Sequence, residues 1–238
     1  MNEKINIHTK EGTNVIEILH GEAKKIDYAN SISVTGDIKA PADFLDRRID
    51  VMDNNEILVE IHDKERVIDM KYRQQFNDSI HISGRVFIFP DLLAFKINKK
   101  EGTFSKDAFI SLIRFSRRYF VETDKASLIL EELKKFSIEI NKTFEDVNDQ
   151  RGNKRLVAEQ VVSNLSLPVF FRLNIPLFQG FDYIGFEVEL FYDTTDGGDI
   201  VFWMESVELK ELLDTESQLI LEKQEKRLTD HNIAVIHV

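Results

Sequence analysis

Short runs rich in Ile and Val alternate with polar turns through the first third of the chain. Val15 to Leu19, Ser31 to Ile38, Ile57 to Ile61 and Val67 to Tyr72 read as strands, bounded by turns such as Asp53-Asn54-Asn55 and Asp63-Lys64. Between the second and third, Pro41 to Arg48 predicts a short helix, with Pro in the first turn where its missing N–H costs little. The run Val86-Phe87-Ile88-Phe89 stops at Pro90, and Leu92 to Ile97 is the expected partner strand.

The period then changes. Phe104, Ala108, Phe109, Leu112, Ile113 and Phe120 recur at helical spacing after Ser105, an N-cap residue, and predict a helix from about Lys106 to Tyr119. Thr123 opens a second helix whose Ala126, Leu130 and Leu133 share a face, widened by Leu128 and Ile129. Ser137 to Phe144 and Leu156 to Val162 read as strands around the polar turn Asn148 to Asn153. Phe186, Val188, Leu190 and Tyr192 alternate with Glu187 and Glu189, and after Asp196-Gly197-Gly198-Asp199 the run Ile200 to Met204 returns as a hairpin. Leu209, Leu212, Leu213, Leu219 and Ile220 outline an amphipathic helix, and Ile233-Ala234-Val235-Ile236 ends the chain as an apolar tail that must pair with something. The expected fold class is α+β, with mainly antiparallel sheet or sheets, an αα-hairpin inserted at about 105–135, and a C-terminal amphipathic helix plus tail at about 208–238.

The 238 residues, 42% of them hydrophobic, suffice for a real core, and no Pro, Gly or charge-rich linker divides them, so one domain over 1–238 is expected. The segment Ile7 to Thr13 echoes Ile97 to Thr103, which two independent Gly turns explain without duplication. Cysteine is absent, which excludes disulfides and thiol chemistry. Neither a signal-peptide core nor the roughly 20 apolar residues of a membrane span occurs, so no membrane partner is expected and the expected location is cytoplasmic. A net charge of −11 opposes global attraction to nucleic acid while leaving a local basic patch open.

Candidate chemistry is sparse. Asp199 with Glu208-Leu209-Lys210 resembles the acidic and E-x-K arrangement of metal-dependent nucleases, where two carboxylates hold a cation and Lys assists the attacking water. E-x-K also recurs by chance in a chain that is 31% charged. The six histidines His8, His20, His62, His81, His231 and His237 form no i, i+4 pair and no carboxylate-flanked metal signature. No Ser elbow, Walker loop or dinucleotide fingerprint occurs. No catalytic residue, metal site or cofactor is therefore expected.

Two surfaces invite binding instead. Arg114, Arg117 and Arg118 share a helical stripe with Phe115 and Tyr119 nearby and Lys96, Lys99 and Lys100 upstream, a pattern that neutralises phosphates and stacks bases, or that merely solvates one helix face. The C-terminal helix and tail offer Leu212, Leu219, Ile220, Ile233, Val235 and Ile236 either to their own domain or to a neighbouring subunit.

The order of elements carries a resemblance: strand and helix over Ser31 to Arg48, strands through Phe95, the helix at Ser105 to Ile110, then Ser166-Leu167-Pro168-Val169-Phe170-Phe171-Arg172-Leu173-Asn174-Ile175-Pro176-Leu177-Phe178-Gln179-Gly180. With the strand pair Phe186 to Tyr192 and Ile200 to Val207, it resembles the YfdQ-like family of phage and prophage proteins from about Ser31 to Leu212. The resemblance implies a bacteriophage-encoded accessory protein and brings no catalytic residues with it. The leading expectation is a non-enzymatic accessory or structural protein that self-assembles into a homo-oligomer in the host cytoplasm. The alternatives are a replication or recombination accessory binding single strands through the Arg114 stripe, a virion component, and a nuclease using Asp199, Glu208 and Lys210.

Overall fold

A computed structural model describes residues 31–73, 79–99, 101–146, 167–195 and 199–238, with 136–146 described as backbone only. The predicted strands Val15 to Leu19 and Leu156 to Val162, the segment Ile7 to Thr13, His8, His20, Lys100 and the hairpin tip Asp196-Gly197-Gly198 lie outside the described residues.

Alternation builds the first sheet. In β2 (Ile57–His62) every second residue is buried, and in β3 (Val67–Arg73) Ile68, Met70 and Tyr72 face the same way, so the two pair antiparallel with Val59 opposite Met70. β4 (Ser79–Arg85) pairs antiparallel with β3, and β1 (Ser31–Asp37) lies parallel to β4 over seven residue pairs. β4 is missing from the expected strands because Ser-Ile-His-Ile-Ser-Gly-Arg holds only two strong strand formers. The helix α1 (Ala40–Arg48) follows β1 as expected, with Asp43 in its first turn and Arg47 and Arg48 in its last, complementing the helix dipole. It packs Pro41, Ala42 and Leu45 onto the sheet.

The segment expected to hold a strand pair folds otherwise. Val86 to Phe89 makes only an isolated bridge, Ile88 with Phe178, and Pro90–Ala94 is a short helix, α2, with Pro as its first residue. Pro has no N–H for a ladder but loses nothing at a helix start, so Leu92 to Ile97 turns instead of pairing, with Lys96 and Asn98 at positive φ.

The second sheet is antiparallel throughout, in the order β5 (Phe104–Ser105), β8 (Ile200–Glu205), β7 (Tyr183–Thr194), β6 (Phe170–Pro176). The β7–β8 hairpin is the one read from alternation. The inner face of the sheet sets Phe171, Phe186 and Phe202 among Leu173, Ile175, Val188, Leu190 and Met204, in one cluster with Phe109 and Ile113 of α3 (Lys106–Ser116) and Ala126, Ile129 and Leu133 of α4 (Thr123–Asp146). Phe109 stacks on Phe202 with centroids 4.9 Å apart, and Phe120 on Phe171 at 4.9 Å. Ser105 caps α3 through its hydroxyl, which accepts from the Ala108 N–H. The expected strand at Ser137 to Phe144 is instead the continuation of α4 to Asp146. In sequence, Ile129, Leu133, Phe136, Ile140 and Phe144 recur at spacings of three and four, a helical period that overrides the local Ile138/Ile140 alternation.

The helix α5 (Leu209–Thr229) then returns to the first sheet, and β9 (Val235–His237) lies parallel to β2 with Val235 beside Val59. The first sheet thus runs β1-β4-β3-β2-β9. Arg227 of α5 bridges Asp43 and Asp46 of α1, and His231 reaches Asp46 at 2.7 Å. These contacts hold the Asp46 carboxyl below the usual carboxylate range, through the His231 hydrogen bond first and then that of Arg227. Buried side chains of both sheets join one hydrophobic cluster.

Candidate functional site

The basic stripe is smaller in three dimensions than in sequence. Arg118 pairs with Asp91 of α2 at 2.8 Å and lies over the Tyr119 ring, while the Tyr119 hydroxyl donates to the same carboxylate. Hydrogen bonds from Tyr119 and then Arg118 lower the Asp91 pKa, and burial, followed by the bond to Asp91, raises that of Tyr119. Tyr119 is 1% exposed, so its ring cannot stack on a base, and Arg118 is committed to Asp91. Tyr119 therefore leaves the predicted nucleic-acid surface, while Arg118, its side chain 67% exposed, stays on it as a paired cation. Arg117 donates to Ser127 Oγ at 2.6 Å and the Lys96 ammonium sits over the Phe104 ring at 4.8 Å. Arg114, Lys99 and Phe115 remain on the surface, Phe115 81% exposed.

The nuclease arrangement comes apart. Asp199 precedes β8 and Glu208 follows its other end, which an extended strand of this length separates by about 20 Å. Two carboxylates so placed share no cation. The Glu208 carboxylate instead accepts from the Glu187 N–H at 2.9 Å, and Lys210 is exposed on α5.

The C-terminal surface is partly spent within the chain. Ile220 and Ile233 are buried in the protein's own core, Leu212 and Val235 pack against it, and only Leu219 and Ile236 stay about half exposed. Strand β9 pairs with β2 on one side and is itself the three-residue edge of the first sheet, while Ile220 and Ile233 leave the predicted interface.

The longer edge strand of the first sheet is at the opposite side, in β1. Among the described residues β1 pairs with β4 alone, and no residue of the strand is buried. Ile32 and Val34 extend the core-facing rows of Ile80 and Ile82 yet are 56% and 50% exposed. Local packing explains why the cover stops short. At the far end of the strand, a Cβ on Gly36 would lie 2.9 Å from Ala40 Cβ, and one on Gly84 2.7 Å from Pro41 Cδ. The start of α1 therefore closes over Gly36 and Gly84 and leaves Ile32 and Val34 uncovered. The strand carries no Pro, and its one charge is at the end, in Asp37, so neither of two common devices that protect an edge is present. Sequence periodicity identified the strand; its edge position depends on a parallel pairing with no local signature.

The polar face of this sheet holds a cluster that the sequence spacing hid. Asp69 of β3 lies between His62 of β2, 3.5 Å away, and His81 of β4, 3.3 Å away, with Lys71 paired to Glu60 alongside. The three strands bring together residues with no motif spacing. Among the described residues no group of His, Asp and Glu is arranged to hold a metal ion, this cluster included. No helix among the described residues is long and apolar enough to cross a membrane. No family model, curated protein or solved structure matches the chain.

Proposed function

We propose that the protein is a non-enzymatic accessory or structural protein that works as a homo-oligomer, its copies joined through β1. The observation that carries this reading is the seven-residue edge strand with both faces open and Ile32 and Val34 half exposed. Two β1 strands related by a two-fold axis pair antiparallel, satisfy each other's outward N–H and C=O groups, and continue one first sheet into the next. Joining also covers the exposed halves of Ile32 and Val34, where complete burial of such a side chain is worth about 1.5–3 kcal/mol. The resemblance to phage and prophage proteins supports a setting in the cytoplasm of an infected host or in a particle assembled there.

Light scattering coupled to size separation tests the reading. The expected result is a dimer or larger species at micromolar concentration, and a monomer for the Ile32→Asp, Val34→Lys double variant with an unchanged circular dichroism spectrum. A monomeric parent protein, or a variant of unchanged mass, overturns assembly through β1 and leaves the edge to another segment of the chain.

A further inference from the structure

Strand β1 presents two different faces along its edge. Ile32, Val34 and Gly36 lie in the rows of Ile80, Ile82 and Gly84 on the core side, while Ser31, Ser33, Thr35 and Asp37 face the other way beside Ser79, His81, Ser83 and Arg85. The core-side positions are unequal. Ile32 and Val34 are about half exposed, whereas the space over Gly36 is taken by Ala40, whose Cβ would lie 2.9 Å from a Cβ on that glycine. The apolar surface in need of cover is therefore confined to residues 32 and 34, with Ser33 between them.

A second copy brings the same two residues. With a two-fold axis normal to the sheet, an antiparallel neighbour keeps core side to core side, and residues directly opposite each other share a face. One residue then faces its own copy at the axis, and the choice of that residue fixes every other pair. An axis at Thr35 sets Val34 opposite Gly36, and one at Val34 sets Ile32 opposite Gly36, so that in both an exposed apolar residue meets a position without a side chain. An axis at Ile32 leaves Val34 opposite position 30, before the start of the strand. An axis at Ser33 sets Ile32 opposite Val34 twice over, with all four side chains direct or diagonal cross-strand neighbours.

The remaining pairs agree with that register. On the polar face Ser33 meets its own copy and Ser31 meets Thr35, hydroxyl pairs that hydrogen-bond across strands, and residues 31–35 carry no charge. The row through the axis reads Lys71, His81, Ser33 and then the same residues in reverse, so the polar face continues across the junction as the apolar face does. The two Gly36 positions stand six residues apart along the strands, about 20 Å, which is wider than a helix of about 10–12 Å. The starts of the two α1 helices thus lie at opposite ends of the junction, with the four apolar side chains between them.

We infer that two copies join with the axis at Ser33, Ile32 lying opposite the partner's Val34 and Ser31 opposite the partner's Thr35, so that two five-stranded sheets become one. The inference rests on assembly through β1 and adds the register in which that assembly is made.

The chain has no cysteine, so single-cysteine variants report the register directly. Residues 31, 33, 34 and 35 are all exposed, and Cβ atoms of directly opposite residues lie about 4.5–5.5 Å apart, within reach of a disulfide after a small adjustment or of a short thiol-to-thiol linker. Ser31→Cys, Ser33→Cys, Val34→Cys and Thr35→Cys are each oxidised, and separately treated with the linker, while covalent dimer is followed on denaturing gels and the mass of the parent protein by light scattering. The expected result is a parent dimer, with Ser33→Cys crosslinking about tenfold or more faster than the other three and a mixture of Ser31→Cys with Thr35→Cys crosslinking faster than either alone. A dimer that crosslinks fastest at another position, or equally at all four, overturns the register, and the mass of the Ile32→Asp, Val34→Lys variant then decides assembly through β1 separately. A monomeric parent protein overturns both.

Discussion

The two sheets are completed by distant strands of different length and direction. The second is an antiparallel meander, β6-β7-β8, to which the two-residue β5 is added antiparallel from far upstream, Phe104 pairing with Phe202, and Phe109 of α3 stacks on Phe202 within it. The first has an antiparallel centre, β2-β3-β4, to which parallel strands from distant parts of the chain are added at both edges, and its interior is mainly Ile, Val, Leu and Met. Both edge strands pair on one side only, the three-residue β9 of the tail and the seven-residue β1. A sheet whose distant edge strand runs seven residues, as β1 does, keeps an edge on which the backbone itself can bind; a distant edge strand of two residues, as β5 is, offers far less of one.

The strongest way to break this comparison is in the aromatic interior of the second sheet. Phe109 is fully buried, stacked on Phe202 and tilted against Phe104 with centroids 6.1 Å apart. Phe109→Ala removes a ring whose neighbours on strand and helix cannot both collapse inward, so the expected loss is about 3–5 kcal/mol by denaturant titration. A loss below about 1 kcal/mol would show that the stack is not what joins α3 to the sheet.

The next test concerns the edge that the tail forms. Ile233 is 4% exposed just ahead of β9, and Ile233→Ala is expected to cost about 2–4 kcal/mol while leaving the oligomer mass unchanged. Removing residues 230–238 is expected to act in the same direction, destabilising the chain because β2 loses its parallel neighbour. A change of mass with little change of stability would place the tail between copies instead of within one.

The same contrast accounts for what could be read from the sequence. The hairpin β7–β8 announces itself because Phe186, Val188 and Leu190 alternate with glutamates before a turn, and α3 because its apolar spacing follows a capping serine. Both depend on neighbours a few residues away. Pairing of β1 with β4 joins residues 48 apart without a hairpin turn, and that of β2 with β9 reaches the end of the chain, so neither sheet edge was legible. The candidate surfaces behaved alike. The charges of Arg114, Arg117 and Arg118 are plain in sequence, but the partner that pairs with Arg118 is Asp91, 27 residues upstream. Glu187 and Glu189 are visibly outward, yet the pairing of Glu189 with Glu205 depends on the β7–β8 register.

The smallest expected effect sharpens how the tail is held. His237, the last residue of β9, accepts or donates at both ring nitrogens: Nε2 lies 3.0 Å from Glu225 of α5, and Nδ1 3.3 Å from Asp63 at the turn between β2 and β3. The Glu225 hydrogen bond first, and then that of Asp63, raises the His237 pKa above its ordinary 6.5. A raised pKa means that the folded protein holds the proton more tightly than the unfolded chain. The stabilisation is therefore complete below the ordinary value and is lost as pH rises through the raised one. The side chain is half exposed, so solvent and salt keep the contribution below about 1 kcal/mol. Other groups titrate in the same range, so the informative quantity is the stability of the parent minus that of His237→Asn, measured by denaturant titration from pH 5.5 to about 8.5. That difference is expected to shrink with rising pH and to shrink further in 0.5 M salt. A difference that grows with pH would mean that neutral His237, packed as part of the strand, matters more than its two ion pairs.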